Sequence, residues 1–361
     1  TKVLEGNYMA EKNVLVLGGG IAGLTSALDL AKGGSQVSLV EKDNVLGGHA
    51  AKYCCKATAS TCQKCGACFV GQHITAVVNH PAIQVFTGLT LEEVESYAGN
   101  YVLHFAGDKE DKQRLQADAV ILATGFKPYN AAKKTAYGYC EYPEVITAME
   151  LEDKLREKGS IKNAFKKQLD KVAFIQCVGS RSDNSQENYC CRVGCMYAVR
   201  LANLLRDELP EAQIDIYYMD IQNFGKGFLE YKRQTAEDNK INFILGRPAK
   251  VYNYPRQGLL MKHECPTTGV LKEENYDMVF LSIGSQPGES TSSLAEKFAI
   301  STNEDSFFAT ELLDPGSTSA PGVFVAGTCT GPRDIADSMQ QAKAVAREVE
   351  MYFKNSEKQA G

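Results

Sequence analysis

Nine of the twelve cysteines in this chain of 361 residues lie in two short segments, at positions 53–69 and 177–195. Thiols at this density can be redox groups, metal ligands or halves of disulfides, whereas packing alone seldom requires them. The first segment holds Cys54, Cys55, Cys62, Cys65 and Cys68, and the second holds Cys177, Cys190, Cys191 and Cys195. These nine cysteines are the candidate functional residues. The elements around them indicate whether they are redox groups, metal ligands or halves of disulfides.

The first segment has the spacing of an iron–sulfur ligand loop. Cys62, Cys65 and Cys68 follow the pattern C-x2-C-x2-C, which lets three thiolates converge on one small cluster from a tight loop. A full 4Fe–4S site needs a fourth ligand, and Cys54 or Cys55 is the nearest source; the sequence does not choose between them. Zinc is an alternative, although zinc sites more often show two separated C-x2-C pairs.

The second segment predicts a further 4Fe–4S site, so that we expect one or two clusters per chain. Cys191 and Cys195 are four residues apart, and a helix there would place both on one face. Cys177 ends a predicted strand that should point towards the same cleft. The alternative is a set of buried, inert thiols between a helix and a sheet. The isolated Cys140, Cys265 and Cys329 are interpreted as structural.

A glycine-rich unit in the first fifty residues predicts nucleotide binding. A short apolar run at 13–17 is followed by GGGIAG, by a helical pattern from 21 and by a second apolar run at 36–40. In a strand–turn–helix–strand unit, Gly18 allows the tight turn, Gly20 the approach of a pyrophosphate and Gly23 close helix–strand packing. Glu41 follows the second strand and is placed to bind a ribose hydroxyl.

An internal repeat predicts two such halves. The segments DAVILATGFKP at 118–128 and DMVFLSIGSQP at 277–287 share one pattern, and each is expected to be the last strand of a half. The second half should open with a strand within 171–180 and contain another at 214–219, which is followed by Asp220. It lacks the G-x-G-x-x-G motif, so a direct NAD(P)H site is left open rather than expected.

These patterns predict an α/β protein with two Rossmann-like dinucleotide-binding domains and cysteine-rich insertions. We expect a first FAD-domain part at 9–130, a second nucleotide-binding-like domain at 131–290 and the rest of the FAD domain at 291–361. In that last part, Pro332 is expected in the first turn of a helix whose positive end suits a flavin ring. Residues 1–8 are expected to be an added extension, with Met9 as the native start.

The glycine motif, Ala123-Thr124-Gly125 and VFVAGT at 323–328 together resemble two-domain flavoproteins such as thioredoxin reductase. The resemblance implies FAD, and the matching positions are Gly18, Gly20, Ile21, Ala22, Gly23, Glu41, Lys42, Gly47, Gly48, Ala123, Thr124, Gly125, Gly327 and Thr328. Thr328 stands where many members have Asp, so that contact is missing here. No catalytic residue is identified beyond Lys226, a candidate near the flavin.

More specifically, IQCVGSRSDN, YCCRVGCMYAVRLAN and GTCTGPRDI resemble the A-type subunit of heterodisulfide reductase and its shorter homologues. Among those, the chain is most similar to the A-like subunit of the sulfur-oxidising heterodisulfide-reductase-like complex. This resemblance implies an oxidoreductase subunit with FAD and iron–sulfur clusters, assembly with further redox subunits, and a homodimer. The alternatives are a stand-alone FAD-dependent disulfide reductase with a cysteine pair soon after Gly48, and a non-catalytic assembly subunit.

Composition excludes several other classes. The net charge is −5 and no dense basic cluster occurs, which argues against a nucleic-acid partner. No apolar run approaches the ~18 residues of a membrane span, and no export signal is visible, so a cytoplasmic protein is expected. In that compartment structural disulfides are rare, which favours metal or redox roles for the cysteines. No Ser-His-Asp set or pair of acids indicates hydrolysis.

Overall fold

The structure is a computed structural model that describes residues 12–58, 61–97, 99–107, 112–182, 187–222, 225–254, 258–311 and 313–360. Met9 and the extension expected before it lie outside the described residues. The strands are β1 (Asn13–Leu17), β2 (Gln36–Val40), β3 (Ile83–Phe86), β4 (Leu89–Tyr97), β5 (Asn100–Gly107), β6 (Lys112–Ala117), β7 (Ala119–Leu122), β8 (Phe126–Pro128), β9 (Val145–Thr147), β10 (Lys171–Val178), β11 (Gln213–Tyr218), β12 (Asn242–Leu245), β13 (Lys250–Tyr254), β14 (Gly258–Glu264), β15 (Leu271–Tyr276), β16 (Met278–Ile283), β17 (Ser285–Pro287) and β18 (Val323–Val325). The helices are α1 (Ile21–Lys32), α2 (Cys68–Val78), α3 (Ala148–Lys158), α4 (Ile161–Ala164), α5 (Gly194–Glu208), α6 (Phe228–Glu237), α7 (Thr291–Phe298) and α8 (Ile335–Ala360).

Two five-stranded parallel sheets form the framework. The first has the order β18-β7-β1-β2-β3 and the second the order β12-β11-β10-β16-β9. Their strands are nearly continuous runs of Val, Ile, Leu and Phe because both faces of each sheet are buried, one against helices and the other against an antiparallel sheet. The α/β fold with two Rossmann-like units is thereby confirmed.

The two halves of the repeat occupy equivalent places. β7 pairs with β1 in the first sheet, and β16 pairs with β10 in the second. A three-stranded antiparallel sheet precedes each of them, β4-β5-β6 in one half and β13-β14-β15 in the other. After these strands, β8 and β17 pair with each other in antiparallel fashion. The two Gly-x-x-Pro segments of the repeat therefore join the halves directly.

The end of the chain returns to the first sheet. β18 pairs in parallel with β7, and α8 packs beside α1 over the core that contains Leu24, Ala342 and Val345. α8 begins at Ile335, three residues after Pro332. Asp334 is its N-terminal cap, since its Oδ1 accepts a hydrogen bond from Asp337 N at 2.7 Å. Pro332 therefore lies before the helix and not in its first turn.

A buried ion pair connects the first cysteine segment to the helices of the second sheet. Lys56 contacts Glu152 of α3, and their side chains are 2% and 1% exposed. Oε1 of Glu152 contacts Lys56 and accepts a hydrogen bond from Cys54 N at 2.8 Å. Oε2 of Glu152 accepts a hydrogen bond from the Tyr197 hydroxyl at 2.5 Å. The Lys56 ammonium also lies 5.1 Å from the ring centre of Tyr53. One carboxylate thus holds together three separate parts of the chain.

Breaking this pair should destabilise the protein strongly. Lys56→Met leaves the Glu152 carboxylate buried without its cation, which costs about 3–5 kcal/mol of unfolding free energy. Chemical denaturation of the purified protein measures it. Lys154→Met, on an exposed position of the same helix, is the control and should change stability little. Equal stabilities of the two variants would contradict the structural role given to the pair.

Candidate functional site

A cavity of about 590 Å³ lies at the carboxyl ends of the strands of the first sheet. Leu17 and Val40, which end β1 and β2, line it together with the turn that follows β7. Gly284, after β16, and Gly194, at the start of α5, contribute from the second half. Ligands of open α/β sheets bind in this position because loops and helix N-termini converge there. The cavity is therefore the candidate site.

Most of the residues predicted to bind a cofactor line this cavity. They are Gly18, Gly20, Ile21, Ala22, Glu41, Lys42, Gly47, Gly48, Ala123, Thr124, Gly125 and Thr328. The remaining two, Gly23 and Gly327, do not line it and support its wall by close packing. A side chain at Gly23 would come within 1.9 Å of Gly18 O, and one at Gly327 within 2.5 Å of Ala22 Cβ.

Gly18 and Gly20 of the motif have different roles in the structure. Gly18 has φ of 112°, and a Cβ there would lie 2.4 Å from Ala123 O, so the turn needs a residue without a side chain. At Gly20, in contrast, a Cβ would meet no atom within 4 Å. The space above Gly20 belongs to the cavity. A ligand can therefore approach the backbone at the start of α1, where helix N–H groups favour phosphate.

Glu41 is buried at the end of β2, next to the glycine-rich turn. Its Oε2 accepts a hydrogen bond from Gly19 N at 2.6 Å and its Oε1 one from Asp43 N at 2.9 Å. Each carboxylate oxygen keeps a further lone pair for a ligand. The acid is thus held in place by the backbone before any ligand binds.

Unpartnered polar atoms in the cavity fit a polar ligand such as FAD. The hydroxyls of Thr124 and Ser285 are buried, line the cavity and have no hydrogen-bond partner in the structure. Buried polar groups are nearly always paired in native proteins, so such atoms call for a ligand or water. Together with the open backbone at Gly20, they make the cavity suitable for a dinucleotide.

Two cavity residues were not predicted from the sequence. The His49 ring packs against Phe126 at 4.5 Å between centroids with the ring planes tilted by 34°, and its Nε2 lies 3.1 Å from Phe126 O. Burial lowers the pKa of His49, so the imidazole is neutral at pH 7. Arg333, just before α8, also reaches the cavity. Only their positions in the sequence could have indicated them. His49 directly follows Gly48, and Arg333 lies in the GTCTGPRDI segment.

The first cysteine segment meets the cavity through one of its cysteines, next to Tyr53 and Lys56. Cys65 lines it, whereas Cys62 and Cys68 are exposed. Arg200 of α5 fixes this loop from the second half, because it donates to Gln63 O at 3.0 Å and to Lys64 O at 3.4 Å.

The two candidates for a fourth ligand differ in their surroundings. Cys54 is half-buried, and burial, reinforced by the nearby Glu152 carboxylate, raises the pKa of its thiol to about 12. Cys55 is exposed.

The second segment is arranged differently from the prediction. α5 begins at Gly194, so Cys191 lies in the turn before the helix and does not share a helical face with Cys195. The reason is the short turn at 190–193, in which Val193 N bonds to Cys191 O at 2.7 Å and Arg192 has φ of 58°. This turn directs Cys191 into the cavity.

The thiols of the second segment influence one another. The hydrogen bond between Cys190 and Cys191 lowers the pKa of Cys190 to about 6 and raises that of Cys191. Burial raises the pKa of Cys177, at the end of β10, and raises that of Cys195 to about 11. Four neighbouring sulfur donors have the chemistry of an iron–sulfur site.

The side chains do not, however, form a ready metal site. Among the described residues, no three His, Cys, Asp or Glu side chains converge in a way that could hold a metal ion, and all twelve cysteines are free thiols. For the isolated cysteines, Cys329 is buried, Cys265 is half-buried and Cys140 is exposed. The donor chemistry of both segments fits iron–sulfur clusters, but in neither segment do three described side chains form a ready ligand set.

Lys226 is not brought to the site. It is exposed before α6 and does not line the cavity. The sequence signal was the glycine-flanked FGKGF segment, of which the described residues 225–228 form the turn into α6 on the surface of the second half.

In the second half, Tyr129 occupies the space at the turn that corresponds to the glycine-rich turn of the first half. A Cβ at Gly179 would lie 2.1 Å from the Tyr129 ring, so this glycine serves packing and offers no space like that above Gly20. Asp220, which follows β11 as Glu41 follows β2, is engaged by the Arg181 guanidinium. That guanidinium holds the pKa of Asp220 below its usual value. Residues 183–186 of this turn lie outside the described residues.

In the part of the chain that the structure describes, no helix combines the length and apolar character needed to cross a membrane.

Comparison with known proteins identifies the relatives of this chain. The profile of the pyridine nucleotide-disulphide oxidoreductase family matches residues 12–348. One of the iron–sulfur A-type subunits of CoB–CoM heterodisulfide reductase from Methanopyrus kandleri is 32% identical over 92% of this chain and 63% of its own length. The A-type subunit of the H2:CoB–CoM heterodisulfide,ferredoxin reductase from Methanothermobacter marburgensis is 30% identical over 93% of this chain and 63% of its own length. The chain thus spans about 63% of the length of these relatives.

Solved structures show the same fold. Thioredoxin reductase of T. acidophilum has a TM-score of 0.63 at 18% identity, covering 96% of this chain and 99% of its own. Thioredoxin reductase of Lactococcus lactis has a TM-score of 0.61 at 16% identity, and the match covers 95% of this chain and 99% of the reductase. The thioredoxin-reductase-like arrangement is confirmed. With its family profile and its similarity of about 30% to A-type subunits of heterodisulfide reductases, the chain belongs to the pyridine nucleotide-disulphide oxidoreductase family.

Proposed function

We propose that this oxidoreductase is a FAD- and iron–sulfur-containing electron-transfer subunit of a heterodisulfide-reductase-like complex. The observation that carries the proposal is the convergence of both cysteine segments on one cavity, through Cys65 and Cys191. A flavin exchanges two electrons with a partner and passes them on singly, which suits a site bordered by cluster ligands. The relative from Methanopyrus kandleri is named as an iron–sulfur subunit, which supports the same function.

In this proposal the chain holds FAD with the residues that line the first-half wall. Backbone N–H groups at Gly20 and the start of α1 bind the pyrophosphate, because the helix N-terminus favours negative charge. Glu41 accepts a hydrogen bond from a ribose hydroxyl with a lone pair that the backbone leaves free. Thr124 and Ser285 supply hydroxyl partners deeper in the cavity.

The two cysteine segments are proposed as the iron–sulfur sites. Cys62, Cys65 and Cys68 with Cys54 or Cys55 would hold one 4Fe–4S cluster, and Cys177, Cys190, Cys191 and Cys195 a second. We infer that a pyridine nucleotide does not bind in the second half, since Tyr129 and Arg181 occupy the positions of its phosphate and ribose contacts.

Partners and context are further parts of the proposal. The relatives are named as subunits of heterodisulfide reductases, so we propose assembly with other redox subunits of that kind. We further propose a homodimer, a cytoplasmic location and a role in sulfur oxidation, on the motifs that resemble the shorter A-like subunits. The sulfur-oxidation assignment rests on those motifs alone.

Cofactor content tests the proposal directly. Protein purified without oxygen should contain FAD, iron and acid-labile sulfide, and its reduced form should give the electron paramagnetic resonance signal of 4Fe–4S clusters. Protein without flavin and iron would refute the proposed function. FAD with negligible iron, together with NAD(P)H-driven reduction of a disulfide, would instead support the stand-alone disulfide reductase. A bound cofactor that no donor reduces would indicate a non-catalytic role in assembly.

Gly20→Ala should weaken FAD binding without unfolding the protein. The new methyl group meets no protein atom within 4 Å and instead enters the space of the ligand. We expect a loss of about tenfold or more in FAD affinity, which corresponds to about 1.4 kcal/mol. Fluorescence titration of the flavin-free protein measures it. Gly71→Ala on α2 is a matched control, because a Cβ there also meets nothing within 4 Å but lies outside the cavity.

Cys65→Ser should remove one cluster. We expect the loss of about four iron atoms per chain, with FAD retained, because a serine oxygen is a poor substitute for a thiolate ligand. Iron and flavin assays measure this. Cys140→Ser, at an exposed position outside both segments, should leave the iron content unchanged. Unchanged iron in Cys65→Ser would refute the assignment of the first segment.

A further inference from the structure

Arg333 places a positive charge in the wall of the cavity beside the start of α8. Its Nε and Nη2 donate to Thr330 Oγ1 at 3.3 and 3.0 Å. Among the described residues, no carboxylate lies within 4.0 Å of its guanidinium. Burial lowers the pKa of Arg333, which shows that its charge is partly removed from water. A half-buried cation without a counter-ion is suited to an anionic ligand group.

The position of this guanidinium is fixed by a hydrogen-bonded turn. Thr330, which accepts from Arg333, donates in turn to Gly327 O at 3.0 Å. Gln341 of α8 accepts from Gly327 N at 2.9 Å and donates to Thr330 Oγ1 at 3.3 Å. The turn that follows β18 is therefore tied to both α8 and Arg333. The cation is held at the cavity before any ligand arrives, which reduces the cost of reorganisation.

The charged groups near Arg333 compensate its charge only in part, because the favourable field of Asp337 is opposed by that of Arg192. Asp334 uses its Oδ1 to cap α8, and Asp337 pairs with Arg192 at 3.4 Å. The thiol of Cys329 is neutral at pH 7, since burial raises its pKa to about 11. The positive end of the α8 dipole adds to the charge of Arg333 on the same side of the cavity.

We propose that Arg333 stabilises the reduced, anionic form of the flavin. This inference rests on the proposed function, because it requires FAD in the cavity. Oxidised flavin that takes two electrons from an iron–sulfur donor and one proton from solvent gains one negative charge. A cation held near that charge in a partly desolvated site binds the reduced form more tightly than the oxidised form. Arg333 would thereby raise the flavin reduction potential.

A competing role is the binding of the pyrophosphate, whose charge is the same in both redox states. Arg333 would then stabilise oxidised and reduced FAD equally, and the reduction potential would not depend on it. The two roles are separated by comparing the affinities for both forms.

The test uses the full chain loaded with FAD and compares Arg333→Met, Arg333→Lys and Lys343→Met with the unchanged protein. The midpoint potential is measured against reference dyes, and oxidised FAD affinity by titration. In Arg333→Met, we expect the preference for reduced over oxidised FAD to fall about tenfold, which lowers the potential by about 30 mV. Arg333→Lys keeps the charge and should recover most of the shift. Lys343→Met removes an exposed charge of α8 and should have no effect.

Three outcomes would overturn the inference. The first is an equal loss of affinity for both redox forms in Arg333→Met, which assigns the residue to the pyrophosphate. The second is an unchanged potential in a variant that retains FAD, which leaves the proposed function intact. The third is an unchanged chain that binds no FAD, which refutes the proposed function as well.

Discussion

The close approach of α1 to the turn after β1 is the contact on which the site depends. Gly23 and Gly18 touch without side chains, and Gly18 also lies against the carbonyl of Ala123, which follows the neighbouring strand β7. Only this packing aims the first N–H groups of α1 at the cavity and leaves the backbone of Gly20 open. Glu41, hydrogen-bonded to Gly19, belongs to the same unit. A larger residue at Gly18 or Gly23 would displace the whole phosphate-binding edge.

The second half uses the same framework for another purpose. Its strands have equivalent order and pairing, yet its first turn carries cysteines where the first half has glycines. Tyr129 covers Gly179, and Arg181 neutralises Asp220, so the acid and the glycine of a nucleotide site are both engaged within the protein. The unit instead presents Cys191 to the cavity of the first half. A repeat of two similar folds thus supplies one ligand cavity and one group of thiols beside it.

A small number of polar contacts hold the two halves together. Arg200 holds the backbone of the first cysteine loop, and Lys56 meets Glu152 in a pocket of tyrosines. A buried ion pair is costly to desolvate and is retained only with close partners, so its value lies in specifying one arrangement. That arrangement brings Cys65 and Cys191, which are distant in sequence, to the same cavity.

The local sequence determined the strands at 13–17 and 36–40, a third strand in the segment 171–180, the glycine motif and the fold with two Rossmann-like units, because period, turn glycines and helix signals act over a few residues. Only the tertiary structure decided that Arg333 and His49 face the cavity, that Lys226 does not, and that Cys191 precedes its helix. These outcomes depend on contacts such as Lys56–Glu152 and on packing between elements remote in sequence. Such contacts leave no periodic trace in the chain, since each rests on the shape and charge of two surfaces that meet only after folding.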